Sequence, residues 1–238
     1  MIPIKDTIPN RCRPVMTWIL ILFSFGIFMF QKSLSSSEVQ FLIIQYGFIP
    51  GELSFYIDNN LIFTENFLFV VVSLFSYTFL HGSWGHLIFN LWSLWIFGDN
   101  VEDVFGKFGF LVFYLLGGAI AGIGHFVFNP GLLVPVIGGS GAIAGVMGAY
   151  ALMYPYSRIL TLVPLFWIPL FFRIPAFIFM GIWFVTQVFL GVMDLGAPDM
   201  ASGVAWWAHI GGFVFGMVVV LVFRSRIKVP NYSEMDYR

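Results

Sequence analysis

Apolar residues fall into long blocks along this 238-residue chain, separated by short polar or charged interruptions. Six blocks, near 15–31, 85–104, 107–128, 139–156, 175–193 and 204–223, read as helical spans of a hydrocarbon layer about 30 Å thick. Residues 32–84 break the rhythm. They hold a Ser-rich SLSSSE, a turn-like YGFIPGELS and one further apolar stretch, NFLFVVVSLFSYTFL. That stretch is a candidate seventh span. A partly embedded loop is the preferred reading, because another crossing would reverse everything downstream. No alternating strand pattern, internal repeat or separate soluble domain is visible.

Composition agrees with spans rather than with a buried soluble core. The chain is 59% hydrophobic and only 10% charged, against roughly 25% charged in soluble domains. The formal net charge of −1 says nothing about nucleic acid, but long apolar runs stand where such a partner would need basic patches, so none is expected. The single cysteine, Cys12, rules out an intramolecular disulfide and a site of paired cysteines. Lys5, Arg11 and Arg13 precede the first apolar run and no small-residue cleavage site follows it, so 15–31 reads as a retained anchor.

Charge also orients the spans. With six crossings and both termini cytoplasmic, Lys5, Arg11, Arg13, Lys107, Arg158, Arg173, Arg224, Arg226, Lys228 and Arg238 fall inside. Only Lys32 falls outside, the bias expected of a positive-inside topology. The expected organisation is a short cytoplasmic N-terminus over 1–14, a membrane domain over 15–223 and a cytoplasmic tail over 224–238.

Polar groups inside such spans need partners or water, since an unpaired one in hydrocarbon costs about 2–7 kcal/mol. His86 and Asn90 lie four apart, on one helical face, and point several N–H donors one way. They serve either as interhelical glue or as donors to a common acceptor. His81 reads as a loop histidine at the membrane surface, and His125, near an outer helix end, as interfacial rather than functional. His209 lies in the sixth block beside Ala208, Gly212 and Gly216, a small-residue face that allows close helix approach. The fourth block has a similar face in Gly141, Gly145 and Gly148. If these helices pack together, Ser140 and His209 come within hydrogen-bond reach. Ser140 is then either a helix N-cap or a nucleophile whose proton a neutral, desolvated histidine removes. His86, Asn90 and the Ser140 main-chain N–H would in that case stabilise an oxyanion.

Several motifs occur together and in order: HGSWGHLIFN, GDNVEDVFG with Gly98, Glu102 and Gly106, GGSG, and AHIGGFVFG. In this the chain, over roughly 66–223, resembles the rhomboid family of intramembrane serine proteases. The resemblance implies an all-α membrane protein, a six-transmembrane-helix bundle with a long, partly embedded first loop. It implies a serine endopeptidase that cleaves transmembrane segments of other membrane proteins with a Ser140–His209 dyad and no carboxylate behind the histidine. His86 and Asn90 complete the oxyanion hole, and Glu102 is structural near the cytoplasmic end of the second span. No cofactor and no metal are called for. The implied partners are transmembrane protein substrates, entering past the fifth span and the 194–203 loop, and membrane lipids. The implied location is a bacterial inner membrane.

Two departures from the family pattern stand out. Val72–Ser73 occupy the place of a Trp-Arg pair in the first loop, so that loop is expected to be braced otherwise. Ala144 replaces an aromatic that stacks on the histidine, leaving Trp206 or Phe213 to hold His209. Three rivals are weaker. An inactive relative would lack Ser140 or His209. A small transporter would show inverted halves and intramembrane carboxylates. A metalloprotease through His81 and His86 lacks HExxH, and five-residue spacing does not share a helical face.

Overall fold

The computed structural model describes residues 1–165, 168–196, 203–227 and 229. Asp199, Lys228, Arg238 and most of the 194–203 connection lie outside the described residues. In chain order the elements are β1 (Ile2–Lys5), α1 (Val15–Ser33), α2 (Ser36–Tyr46), α3 (Pro50–Asp58), α4 (Phe67–Ser76), α5 (Trp84–Phe128), α6 (Ser140–Met153), β2 (Arg158–Leu165), β3 (Ile168–Pro175), α7 (Ala176–Gly196) and α8 (Trp206–Val222). A 3-10 turn, Tyr77–Phe79, follows α4.

By length and composition α1, α5 and α7 qualify as membrane-crossing helices, while α6 and α8 are shorter apolar ones. The 45-residue α5 is two helical runs, 84–105 and 107–128, divided at Gly106, whose φ of 71° and ψ of 164° are not helical. A positive φ is open to glycine without a Cβ clash. The chain reverses there. Asn90 lies near Gly138 and Phe97 packs on Tyr150, so the first run descends alongside α6. In the second run Gly124 meets Gly211 and Gly117 meets Phe215, so it runs against α8. With α5 counted as two, a helix stands at each of the six expected positions, which is compatible with six spans.

The stretch 66–80 is a shorter apolar helix, below the length that qualifies as membrane-crossing. Its helix α4 has 10 residues, about 15 Å of rise, and the 3-10 turn ends it. The first loop is braced by main chain and hydroxyls instead of a Trp-Arg pair. Phe48 and Val136 exchange both main-chain hydrogen bonds, and Gly51 N–H donates to Leu132 O at 2.8 Å. Ser76 Oγ donates to Tyr46 O and Ser54 Oγ to Pro130 O, each at 2.7 Å. Phe48, Leu53, Val70, Tyr77 and Val136 form a small apolar core beneath it.

The helical bundle centres on α6. Every residue from Gly141 to Tyr150 is buried. α6 and α8 run the same way in close contact, because a Cβ on Gly212 or Gly216 would collide with the carbonyl oxygens of Gly141 and Gly145 respectively. Glu102 caps α1 from across the bundle. Its carboxylate accepts the main-chain N–H of Met16 at 2.9 Å and of Thr17 at 2.7 Å, and the Thr17 hydroxyl at 2.8 Å. α1 begins at Pro14 with no side-chain cap of its own, so these N–H groups would otherwise lack partners.

A small sheet is an addition to the helical architecture. β2 and β3 form an antiparallel hairpin from Arg158↔Pro175 to Leu165↔Ile168, and β1 pairs antiparallel with β2. This ties the N-terminus to the α6–α7 connection on one face of the bundle. Asp6 anchors the same segment, accepting hydrogen bonds from the Tyr150 hydroxyl and from Asn100 Nδ2.

Candidate active site

Ser140 opens α6. The preceding Gly138 has φ of +122°, a backbone conformation that a side chain would strain, and its N–H donates to Tyr77 O at 2.9 Å. A Cβ there would strike the imidazole of His86, and would lie 3.7 Å from Asn90 Nδ2. The glycine thus lets His86 and Asn90 come up against the chain two residues before the serine. The first turn of α6 also leaves main-chain N–H groups without intrahelical acceptors.

α6 has 14 residues, a rise of about 21 Å. Its C-terminal end leads directly into β2, on the face that carries the sheet. Ser140, at the other end of the helix, is half-buried.

α8 supplies the second group. His209 Nε2 lies 2.7 Å from Ser140 Oγ, a distance permitted by the glycine contacts between the two helices. Its other ring nitrogen, Nδ1, lies 2.8 Å from Gln187 Oε1 on α7. Gln187 is buried and its Nε2 donates to Trp183 O at 3.3 Å. Aromatic rings complete the surround. Trp206 meets His209 edge-on at 5.9 Å and Trp183 lies against it at 6.0 Å. Phe213 reaches the histidine only through Trp183, at 5.8 Å. Of the two aromatics anticipated in place of Ala144, Trp206 is the direct neighbour.

His81 lies in the loop between the 3-10 turn and α5, with its side chain buried. It is 2% exposed, and its main-chain N–H donates to Gln31 Oε1 while its carbonyl accepts from Gln31 Nε2. Its Nδ1 lies 3.2 Å from Phe79 O and its Nε2 lies 3.0 Å from Asn90 Nδ2. A carbonyl can only accept, so Nδ1 carries the proton and Nε2 accepts from the amide. Burial, and then the neighbouring His86, hold His81 down to about 4, so it is neutral at pH 7. One Asn90 N–H is thereby fixed on His81. The ring of His86 packs edge-to-face on His81 at 5.1 Å. His125 lies in the last turn of α5. It is buried, and its Nδ1 has no hydrogen-bond partner among the described residues.

Sequence reasoning passed over two contributors, Gln187 and His81. Gln187 is a lone amide in an apolar span, which is itself a signal. His81 carried none, because its burial depends on Gln31, fifty residues earlier.

A sequence model described as the rhomboid domain matches residues 69–226. This chain belongs to the rhomboid family. Among curated relatives, the mitochondrial Rhomboid protein 1 of Saccharomyces cerevisiae is 24% identical over 168 residues, 68% of this chain and 45% of that protein. The presenilin-associated rhomboid-like protein A of Danio rerio, also mitochondrial, is 28% identical over 63% of this chain and 38% of its own length. Rhomboid protease GluP of Bacillus subtilis is 31% identical over 137 residues, 58% of this chain and 23% of that protein. The chain spans less than half the length of each. Rhomboid membership and the apolar helices make this an integral membrane protein.

Proposed function

We propose that this rhomboid is an intramembrane serine endopeptidase that cuts transmembrane segments of other membrane proteins. The observation that carries the reading is the 2.7 Å separation between His209 Nε2 and Ser140 Oγ. A serine hydroxyl becomes a useful nucleophile when an adjacent base can take its proton. Ser140 Oγ attacks the scissile carbonyl carbon as its proton passes to His209 Nε2. The carbonyl π electrons move to oxygen, and the resulting oxyanion takes hydrogen bonds from His86, from the free N–H of Asn90 and from the Ser140 main chain. Collapse expels the amine, which takes the proton from Nε2 and leaves an acyl-serine. Water then repeats the sequence in reverse: His209 removes its proton, its oxygen attacks the acyl carbon, and Ser140 Oγ leaves and is reprotonated.

The membrane domain spans 15–223 and lies in a bacterial inner membrane, flanked by cytoplasmic segments 1–14 and 224–238, an orientation that the charge bias supports. β1 supports this arrangement, since it sets the N-terminus on the same face as the strands bearing Arg158 and Arg173. The shortness of α6 supports a nucleophile set below the opposite, outer surface.

The test is labelling with a fluorophosphonate, together with cleavage of a transmembrane substrate. Wild-type protein should label once, at Ser140. Ser140→Ala should lose both signals. His209→Ala should lose ~10²-fold or more in rate while remaining folded. Labelling that persists in Ser140→Ala places the nucleophile elsewhere.

A further inference from the structure

From the hydrogen bonds around His209 we infer that Gln187, on α7, is a positioning residue that fixes the tautomer and the ring orientation of the base. The inference rests on the protease reading for its kinetic consequence, but its structural content stands on the hydrogen bonds alone.

Gln187 has an amide nitrogen and an amide oxygen, and they are interchangeable in shape. Trp183 O, at 3.3 Å from one of them, is a carbonyl and can only accept. The group facing it is therefore the NH2. That leaves Oε1 toward His209, where it too can only accept. His209 Nδ1, at 2.8 Å, must then carry a proton. In a neutral imidazole a protonated Nδ1 leaves Nε2 with a lone pair. Nε2 is the atom that faces Ser140 Oγ at 2.7 Å. A main-chain carbonyl on α7 thus sets the basic atom of a histidine on α8, through a single amide.

The geometry serves orientation as well. Trp183 and Gln187 are four apart on α7, hence on one helical face. The first lays its ring beside His209 at 6.0 Å and the second holds its Nδ1. Trp206 closes a third side at 5.9 Å. An imidazole turned about its χ2 axis would lose the Gln187 bond and swing Nε2 off the serine. In hydrolases with a triad this duty falls to a third group behind the base. Here it falls to a neutral amide. An amide can supply direction and tautomer but not the full negative charge that would raise the basicity of the ring.

Two variants and one spectrum test this on the full-length, detergent-purified protein. Gln187→Leu keeps most of the volume and removes the acceptor. It should lower kcat at least about tenfold, with KM within twofold, and the donor left on Nδ1 without an acceptor should also lower the melting temperature modestly. Gln187→Glu restores an acceptor and should return kcat to within about threefold of wild type. When ionised it adds a negative charge beside the ring, so it should also move the acidic limb of the kcat/KM profile to higher pH. In ¹⁵N-histidine NMR at neutral pH, wild-type His209 should show the Nδ1–H tautomer, and Gln187→Leu should show Nε2–H or a mixture. A purely structural glutamine would lower the melting temperature without changing the tautomer. Wild-type kcat in Gln187→Leu, no rescue by Gln187→Glu, or an Nε2–H tautomer in the wild type would each overturn the assignment. If the wild type neither labels nor cleaves, the protease reading fails, and the tautomer measurement still decides the role of Gln187.

Discussion

Replacing Asn90 separates two roles that its position permits. Asn90 is buried, and its Nδ2 donates to His81 Nε2 at 3.0 Å. As scaffolding, the side chain is worth that one neutral bond, about 1 kcal/mol. Truncation also leaves the buried His81 Nε2 without its donor, which brings the total to about 1–3 kcal/mol of stability. As an oxyanion donor, the second N–H contributes only in the transition state. A strong donor of this kind is worth about 10²–10³ in rate, or ~2.7–4 kcal/mol. Sharing of the oxyanion among three donors lowers that figure. Asn90→Ala should therefore cut turnover at least tenfold, and the same holds for His86→Ala. The assay is cleavage of a transmembrane substrate in detergent, with active molecules counted by fluorophosphonate titration and stability read from thermal melting of the same preparations. His81→Phe is the control. It keeps ring volume and removes the acceptor that anchors Asn90, so it should reduce turnover less than Asn90→Ala. A sharp fall in melting temperature, with the rate per titrated serine within twofold of wild type, would refute the donor role and make Asn90 an interhelical tie.

Two further predictions concern the face that carries the sheet. Glu102→Gln leaves one oxygen to serve the N–H groups of Met16 and Thr17, and it removes a negative charge from the start of α1. It should cost about 1–3 kcal/mol for the unmet donor, and ~0.3–1 kcal/mol for the helix-terminal charge. Melting temperature should fall with the rate per active molecule unchanged; an unaltered melt would remove Glu102 as the cap of α1. Burial pushes Asp6 up to about 6 from its ordinary 3.8, against the lowering effect of the Tyr150 hydroxyl. Between those values the folded state binds more protons than the unfolded one, so this residue's contribution to stability declines as pH rises from about 4 to 6. The difference in melting temperature between wild type and Asp6→Asn should change across that window and be flat above pH 7; a difference independent of pH would contradict the burial of an ionisable Asp6.

The span pattern was legible because burying apolar side chains in lipid needs only length and composition, which are linear properties. The same holds for the glycine faces of α6 and α8. A small residue every fourth position is a statement about one helix, and two such helices have few better partners than each other. Ser140 and His209 followed from that pairing. The sheet was not legible. Residues 158–175 are apolar on both faces, so no alternation marks them as strands, and the third strand, β1, arrives from the far end of the chain.

What the sequence by itself determined is the set of helices, their small-residue seams and the meeting of Ser140 with His209 across them. Tertiary structure alone decided how the polar side chains pair. Gln31 meets His81 across 50 residues, Glu102 meets Thr17 across 85, and Gln187 meets His209 across 22. The physical reason is directional. Apolar burial is satisfied by any suitable neighbour, so composition predicts it. A hydrogen bond needs one donor and one acceptor at about 3 Å and in line, and that requirement is met only once separate helices are held in register.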